Sequence, residues 1–331
     1  MRRPGFLISK PRRGDEAILA PNTNGRMAQP LPVLVNRTGG TAAGLGDALG
    51  PALEAAFAEA GREIVLELLD ASQITAAIAR HAGAPVIAVG GGDGTLGAAA
   101  AALAHSTTAL AILPLGTRNH LARQLGVPLD LAGAARLCVT GQRRRIDLGT
   151  AGSRIFVNNA SFGIYARFVR QRAAQAGPKW LNSIPAAWHA LRNMRAQTFA
   201  LSVDGRTGRL ATPLLFVGNN PYSLQAGRVG ERETLTEGRL ALYAVTAQRS
   251  RQLIGFGLRA LLGLARPERD FQAVLDASEI VIEGHGAIEG AFDGELAMMA
   301  LPLALRSLPG ALGVVAPREL AEPERALSET H

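Results

Sequence analysis

From Leu31 to Thr140 short apolar runs alternate with longer stretches of helical character, and this alternation limits the fold more than any other feature of the chain. The runs Pro32–Asn36, Glu63–Leu69, Pro85–Val89 and Ala109–Leu115 read as strands. Between them Ala42–Ala60, Asp70–His81 and Leu96–His105 read as helices, and Arg118–Leu125 and Asp130–Thr140 follow as a further pair. Short Val/Ile/Leu/Ala runs separated by amphipathic helices imply a parallel sheet covered on both faces, hence an α/β fold. Ligands of such sheets sit beyond the C-terminal ends of the strands. Three loops fall at that edge: Asn36-Arg37-Thr38-Gly39-Gly40, Gly90-Gly91-Gly92-Asp93-Gly94-Thr95 and Gly116-Thr117-Arg118-Asn119.

The second of these loops carries the chemistry. Glycines lack a Cβ, so the backbone can bend sharply and approach a bulky anion. Successive N–H groups in such a turn, backed by a helix N-terminus, make a nest for phosphate oxygens. Asp93 would repel a bare phosphate, which points to a bound Mg²⁺ or to proton transfer. Thr117 and Asn119 also suit a helix cap, and a capped N-terminus is itself an anion site.

Beyond about residue 143 the pattern changes. Strand candidates Ile155–Asn159, Phe199–Asp204, Pro213–Gly218, Arg239–Val245, Phe271–Ala277 and Glu279–Glu283 come with turn signals at Asp204-Gly205 and Glu237-Gly238. Two helical stretches interrupt them, near Lys179–Met194 and Ser250–Ala265. The reading is an antiparallel β domain with helical insertions. The division is 1–30 a disordered extension, 31–148 the parallel α/β domain, 149–306 a β domain, 307–320 a segment packing back on the first domain, and 321–331 a tail. Arg143-Arg144-Arg145 reads as a solvated loop. The apolar face of Ser250–Ala265, flanked by Arg251 and Arg259, suits either a membrane surface or packing on the β domain.

Composition removes several function classes. The one cysteine, Cys138, excludes a disulfide framework and a thiolate zinc site, and its apolar neighbours make it a core residue. The six histidines show no paired metal spacing. The net charge of +8 is almost all arginine, since the lysines are Lys10 and Lys179. That balance favours anionic partners or reflects genomic bias. No nucleic-acid motif is visible and aromatics are few, so nucleic acid is not expected as a partner. The uncharged run Thr95–Thr117 contains Pro114 and Gly116, which suits a helix followed by a buried strand better than a membrane span. A cytoplasmic protein without a transmembrane helix is the expectation.

The Gly90–Thr95 turn resembles the GGDGT signature shared by diacylglycerol, sphingosine and NAD kinases and by phosphofructokinases. Pro114-Leu115-Gly116-Thr117-Arg118-Asn119-His120-Leu121-Ala122-Arg123 resembles the P-x-G-T-x-N-D-x-A-R stretch of the diacylglycerol kinase catalytic domain, with histidine where the family has aspartate. Asp293-Gly294-Glu295 resembles the late D-G-E motif of the same family, although by composition alone it is an ordinary hairpin turn. The order and spacing of the three are similar to those of bacterial soluble lipid kinases, from about residue 31 to 316.

The resemblance implies a Rossmann-like ATP domain followed by an antiparallel β-sandwich, with the active site between them. It implies a phosphotransferase with an alcohol acceptor: ATP and Mg²⁺ as cofactors, a membrane lipid such as diacylglycerol as substrate, and peripheral contact with the inner face of the membrane. NAD kinase activity, or nucleotide sensing without catalysis, are the alternatives. Asn36, Thr38, Gly90, Gly91, Gly92, Asp93, Gly94, Thr95, Leu96, Thr117 and Asn119 would hold the nucleotide, with Arg37 or Arg118 helping to neutralise its phosphates. Asp93 would hold catalytic Mg²⁺, Glu295 would be the general base, and Asp293 would position it or join the metal and water network. Many family members carry a structural Mg²⁺ loop ending in Asp-Gly. Here that stretch reads Thr234-Leu235-Thr236-Glu237-Gly238-Arg239, which makes Glu237 the candidate ligand. Leu224–Arg228 replaces a glycine-rich approach to that loop, and Lys179 is a candidate contact for a substrate phosphate. Neither the individual lipid nor the oligomeric state is readable.

Overall fold

The computed structural model describes residues 29–163, 196–222, 232, 234–245 and 271–318. The extension through residue 28, the tail at 321–331, the stretches Lys179–Met194 and Ser250–Ala265, and Leu224–Arg228 lie outside the described residues.

The first half is the expected alternation. Strand β1 spans Leu31–Asn36, β2 Ile64–Leu69, β3 Val86–Gly91 and β4 Ala109–Pro114. Helices α1 (Gly40–Leu45), α2 (Leu49–Glu59), α3 (Ile74–Arg80), α4 (Asp93–Ala102), α5 (His120–Gln124) and α6 (Leu131–Thr140) connect or follow them. The stretch read as one helix from Ala42 is broken at Gly46, whose φ of 51° no helix accommodates. The four strands pair in parallel in the order β2-β1-β3-β4. Every residue of β1 and β4 is buried, as a sheet covered on both faces requires.

The second half contributes β5 (Gln142–Ala151), β6 (Arg154–Phe156), β7 (Asn159–Gly163), β8 (Gln197–Val203), β9 (Arg206–Thr212), β10 (Leu214–Asn219), β11 (Leu240–Val245), β12 (Phe271–Ala277), β13 (Glu279–Glu283), β14 (Ala287–Phe292), β15 (Glu295–Ala300) and β16 (Leu303–Ala316). Six of these strands form an antiparallel sheet, β12-β11-β10-β7-β14-β15. The rest extend the first sheet to ten strands, with β16 alongside β4 and then β13, β8 and β9. The pivot is β16, a strand of 14 residues. Its end lies parallel to β4 through Gly313 and Val314, and its beginning is antiparallel to β13. The parallel-rich sheet therefore does not stop where the antiparallel half begins.

Two apolar cores result. One packs helices on the parallel strands around Val33, Phe57, Ile87, Leu96 and Leu110. The other, with Phe162, Phe292, Leu215, Ile280 and Leu305, lies between the two sheets. Cys138 is buried in the first core, and burial pushes its thiol up to about 12. Arg143-Arg144-Arg145 is strand rather than loop: β5 pairs these residues with Val315, Val314 and Gly313 of β16. The guanidinium groups of Arg144 and Arg145 donate to the carbonyls of Arg318 and Gly310, so the strand accommodates their charge. Among the described residues no helix is long and apolar enough to cross a membrane, and the uncharged run from Thr95 is α4 followed by β4.

Candidate active site

The three loops at the C-terminal edge of the parallel strands touch one another, and glycines stand where they touch. A Cβ on Gly40 would lie 2.4 Å from the carbonyl oxygen of Leu115, and one on Gly116 would lie 2.4 Å from Cα of Gly92. Thr41 N–H also donates to Leu115 O at 2.9 Å. Backbone closeness of this order excludes any other residue type without displacing a loop.

Side chains lock the arrangement from inside. Asn36, buried at the end of β1, donates from Nδ2 to Thr95 Oγ1 at 2.9 Å. Its Oδ1 accepts from the Thr38 N–H and hydroxyl at 3.1 and 2.8 Å. Asn119, in the left-handed region at φ 52°, accepts from Gly116 N–H at 2.9 Å and donates to Pro114 O and Gly116 O. It makes no side-chain cap on α5, so the cap alternative fails: the amide is consumed in closing its own loop. Asn36, Thr95 and Asn119 thus shape the loops with their side chains turned inward.

Helix α4 begins at Asp93, three residues earlier than the sequence suggests, with Gly92 as its N-cap and no side-chain cap. The N–H groups of its first turn have no partner within the helix. Leu96 is the exception, because its N–H reaches Gly92 O and its side chain is buried in the core. Gly94 and Thr117 are exposed, and Gly92 and Asp93 half-buried. Asp93 Oδ1 accepts from the His120 N–H at 2.8 Å. Arg37 is turned to Asp70, at 3.1 Å, and Arg118 is exposed on the third loop.

The antiparallel sheet brings its carboxylates to the same place. Asp293 and Gly294 form the turn between β14 and β15, with φ values of 49° and 88°. Glu295 follows, and its Oε1 stands 3.2 Å from where a Cβ on Gly94 would be. Its Oε2 accepts from Arg154 of β6 at 2.8 Å. Arg154 also lies over the Phe292 ring, 5.4 Å from its centre. Asp293 is half-buried and accepts three backbone hydrogen bonds. Its Oδ2 accepts from Val157 N–H at 2.7 Å, and its Oδ1 from Asn158 and Asn159 N–H at 2.7 and 3.0 Å. Burial raises its pKa, while the three N–H groups and Arg232 oppose the rise. Such a carboxylate holds a turn in place, with one hydrogen bond on Oδ2 and two on Oδ1.

Glu237 is elsewhere. It is exposed, and its N–H donates to Asn220 Oδ1 at 3.1 Å. The nearby Asp147 carboxylate is spent on the N–H groups of Gly238 and Gly310, at 2.6 and 2.7 Å. Among the described residues no group of three or more His, Cys, Asp or Glu side chains stands together as a metal cage. A structural Mg²⁺ at Glu237 is a reading that the resemblance alone carries. Asp93 fits a different kind of site, one carboxylate beside incoming phosphates, which is how Mg²⁺ is usually held.

Sequence reasoning missed Arg154 and Arg232. Both are single arginines in an arginine-rich chain and stand in no motif, so nothing local marked them.

Residues 30–151 match the diacylglycerol kinase catalytic domain. A Pseudomonas aeruginosa protein named as a probable YegS-like lipid kinase is 44% identical over 115 residues, which cover 33% of this chain and 37% of that protein. A Staphylococcus aureus diacylglycerol kinase is 29% identical over 149 residues, covering 42% of this chain and 46% of that one. The sequence matches thus span less than half of each relative. Two crystal structures from Bacillus anthracis share the fold more widely. One, described as a diacylglycerol kinase, superposes with a TM-score of 0.64 at 21% identity over 88% of this chain and 98% of that one. The other reaches 0.70 at 22% identity over 91% and 99%.

Proposed function

We propose that the protein, whose residues 30–151 match the diacylglycerol kinase catalytic domain, transfers the γ-phosphoryl group of ATP to a hydroxyl of diacylglycerol or a related membrane lipid. The observation that carries this reading is the approach of Glu295 to Gly94 across the two halves of the chain. A carboxylate from the antiparallel sheet faces the exposed first turn of α4, where a phosphate would rest. Donor and acceptor sites then adjoin.

Phosphoryl transfer passes through a loose transition state that needs positioning and charge neutralisation more than covalent help. The unpaired N–H groups at the start of α4 cradle the phosphates, and Thr38, Thr117 and Arg118 line the rim. Asp93 would hold Mg²⁺, which would supply positive charge to the phosphate oxygens. Glu295 accepts the proton of the lipid hydroxyl as its oxygen forms the new bond to phosphorus, and the bond from phosphorus to the β–γ bridging oxygen breaks to release ADP. Asp293 acts on Glu295 through the turn it fixes. Access of the second substrate implies peripheral contact with a membrane.

Incubation with labelled ATP, Mg²⁺ and a panel of lipids in mixed micelles, with NAD in parallel, tests this. Labelled lipid, lost in Asp93→Ala and Glu295→Ala, is the expected result. Labelled NAD phosphate, or nucleotide binding with no transfer to any acceptor, overturns it.

A further inference from the structure

Arg232 has no part in the chemistry above, yet it is buried at 9% exposure and its guanidinium is saturated with oxygen acceptors. Nε donates to Gln124 Oε1 at 2.9 Å, and Nη2 bonds the same oxygen. Nη1 donates to Val157 O at 2.7 Å and Asn219 O at 3.3 Å, and Nη2 to Asn158 Oδ1 at 2.9 Å. One side chain therefore joins the last residue of α5, the connection between β6 and β7, and the end of β10.

These contacts have a direction. Helix α5 directly follows the Gly116–Asn119 loop of the nucleotide site. Val157 and Asn158 are two of the three residues whose N–H groups clamp Asp293. Arg232 thus grips one side of the 157–159 segment while Asp293 grips the other. A buried charge costs free energy unless it is paired, and burial does lower the pKa of Arg232. The carboxylates of Asp293 and Asp147 act in the opposite direction and favour its charged form. Lysine cannot replace it, because a compact ammonium lacks the planar fork that reaches several elements at once.

We propose that Arg232 is a positioning residue that fixes Glu295 in register with the nucleotide loops, by tying α5 to the segment that holds Asp293. The proposal rests on the phosphotransfer reading for its kinetic test only.

The test uses the full chain with Gln124→Met, Arg232→Lys and Arg232→Ala, assayed with ATP, Mg²⁺ and diacylglycerol micelles, and separately by amide hydrogen exchange. A misplacement of the base by about 1 Å lowers kcat by about tenfold to a hundredfold while the KM for ATP stays within about twofold. Guanidinium ion added to Arg232→Ala restores part of the lost kcat. Exchange at Val157–Asn159 quickens in all three variants while β1 and β2 keep their protection. The proposal is overturned if folded Gln124→Met and Arg232→Lys keep wild-type kcat, or if the 157–159 amides keep wild-type protection. If Arg232→Ala does not fold, Gln124→Met decides. If the wild type phosphorylates no lipid, the functional reading falls by itself and the exchange result still decides the role of Arg232.

Discussion

Arg154 holds Glu295: the guanidinium donates to Oε2 at 2.8 Å and is itself braced over the Phe292 ring. The other oxygen of Glu295 is left facing Gly94. A general base contributes about a hundredfold to ten-thousandfold to rate. Glu295→Gln should lower kcat by that order with nucleotide affinity unchanged, read by steady-state kinetics beside a nucleotide titration. Arg154→Met should lower kcat by about tenfold, because the carboxylate loses the partner that fixes its rotamer.

The glycine contacts make a second prediction. A Cβ at residue 116 meets Cα of Gly92 at 2.4 Å and Asn119 Oδ1 at 2.7 Å, and neither can retreat without opening a loop. Gly116→Ala should cost about 1–3 kcal/mol of stability by overpacking. It should also weaken ATP binding, whereas Gly44→Ala, at a site with open space around it, should do neither. Urea melts and nucleotide titrations of the two variants read this out.

Asp293 makes a third. Asp293→Ala strips three backbone N–H groups of their acceptor in a half-buried place. Each unsatisfied donor costs about 1–3 kcal/mol, reduced by any water that enters. The expected result is a destabilised protein whose folded fraction transfers phosphate slowly. A variant of wild-type stability would show that the carboxylate does not hold the turn.

Glu67 supplies a pH dependence far from the site. Its hydrogen bond from His81, then Arg80, holds its carboxyl below the usual 4.5 against partial burial. A depressed carboxyl pKa contributes stability above the unfolded value, and that contribution is lost as pH falls through the folded value. As a surface cluster it is worth about 0.5–1 kcal/mol after screening. Wild type should exceed Glu67→Gln by that amount at pH 7, and the gap should close below about pH 4, which urea midpoints at the two pH values measure.

With its thiol pushed up to about 12, Cys138 should resist alkylation in the native protein at pH 8 and react fully in denaturant.

The α/β class and the convergence of three loops were legible because they rest on local signals: apolar runs flanked by glycine turns, and Asp93 set at a strand-to-helix junction. The place of Asn36 and Thr38 at the end of β1 was legible for the same reason, although the inward turn of Asn36 was not. What escaped was tertiary. Asn119 looks like a cap, and only the left-handed backbone at that residue sends its amide into its own loop. Arg143-Arg144-Arg145 looks solvated, and β16 makes it strand. Arg154 and Arg232 draw their meaning from Glu295, Gln124 and Asn158, residues remote from them in sequence.

The shared strand β16 also has a temporal consequence. Leu110 at the heart of the parallel sheet finds its neighbour Val314 only when nearly all the described chain has been made. Until then β4 presents an open edge, and edges of this kind recruit foreign strands. Such distant pairing is slow to form. During synthesis the parallel half therefore keeps an exposed edge until β16 has been made.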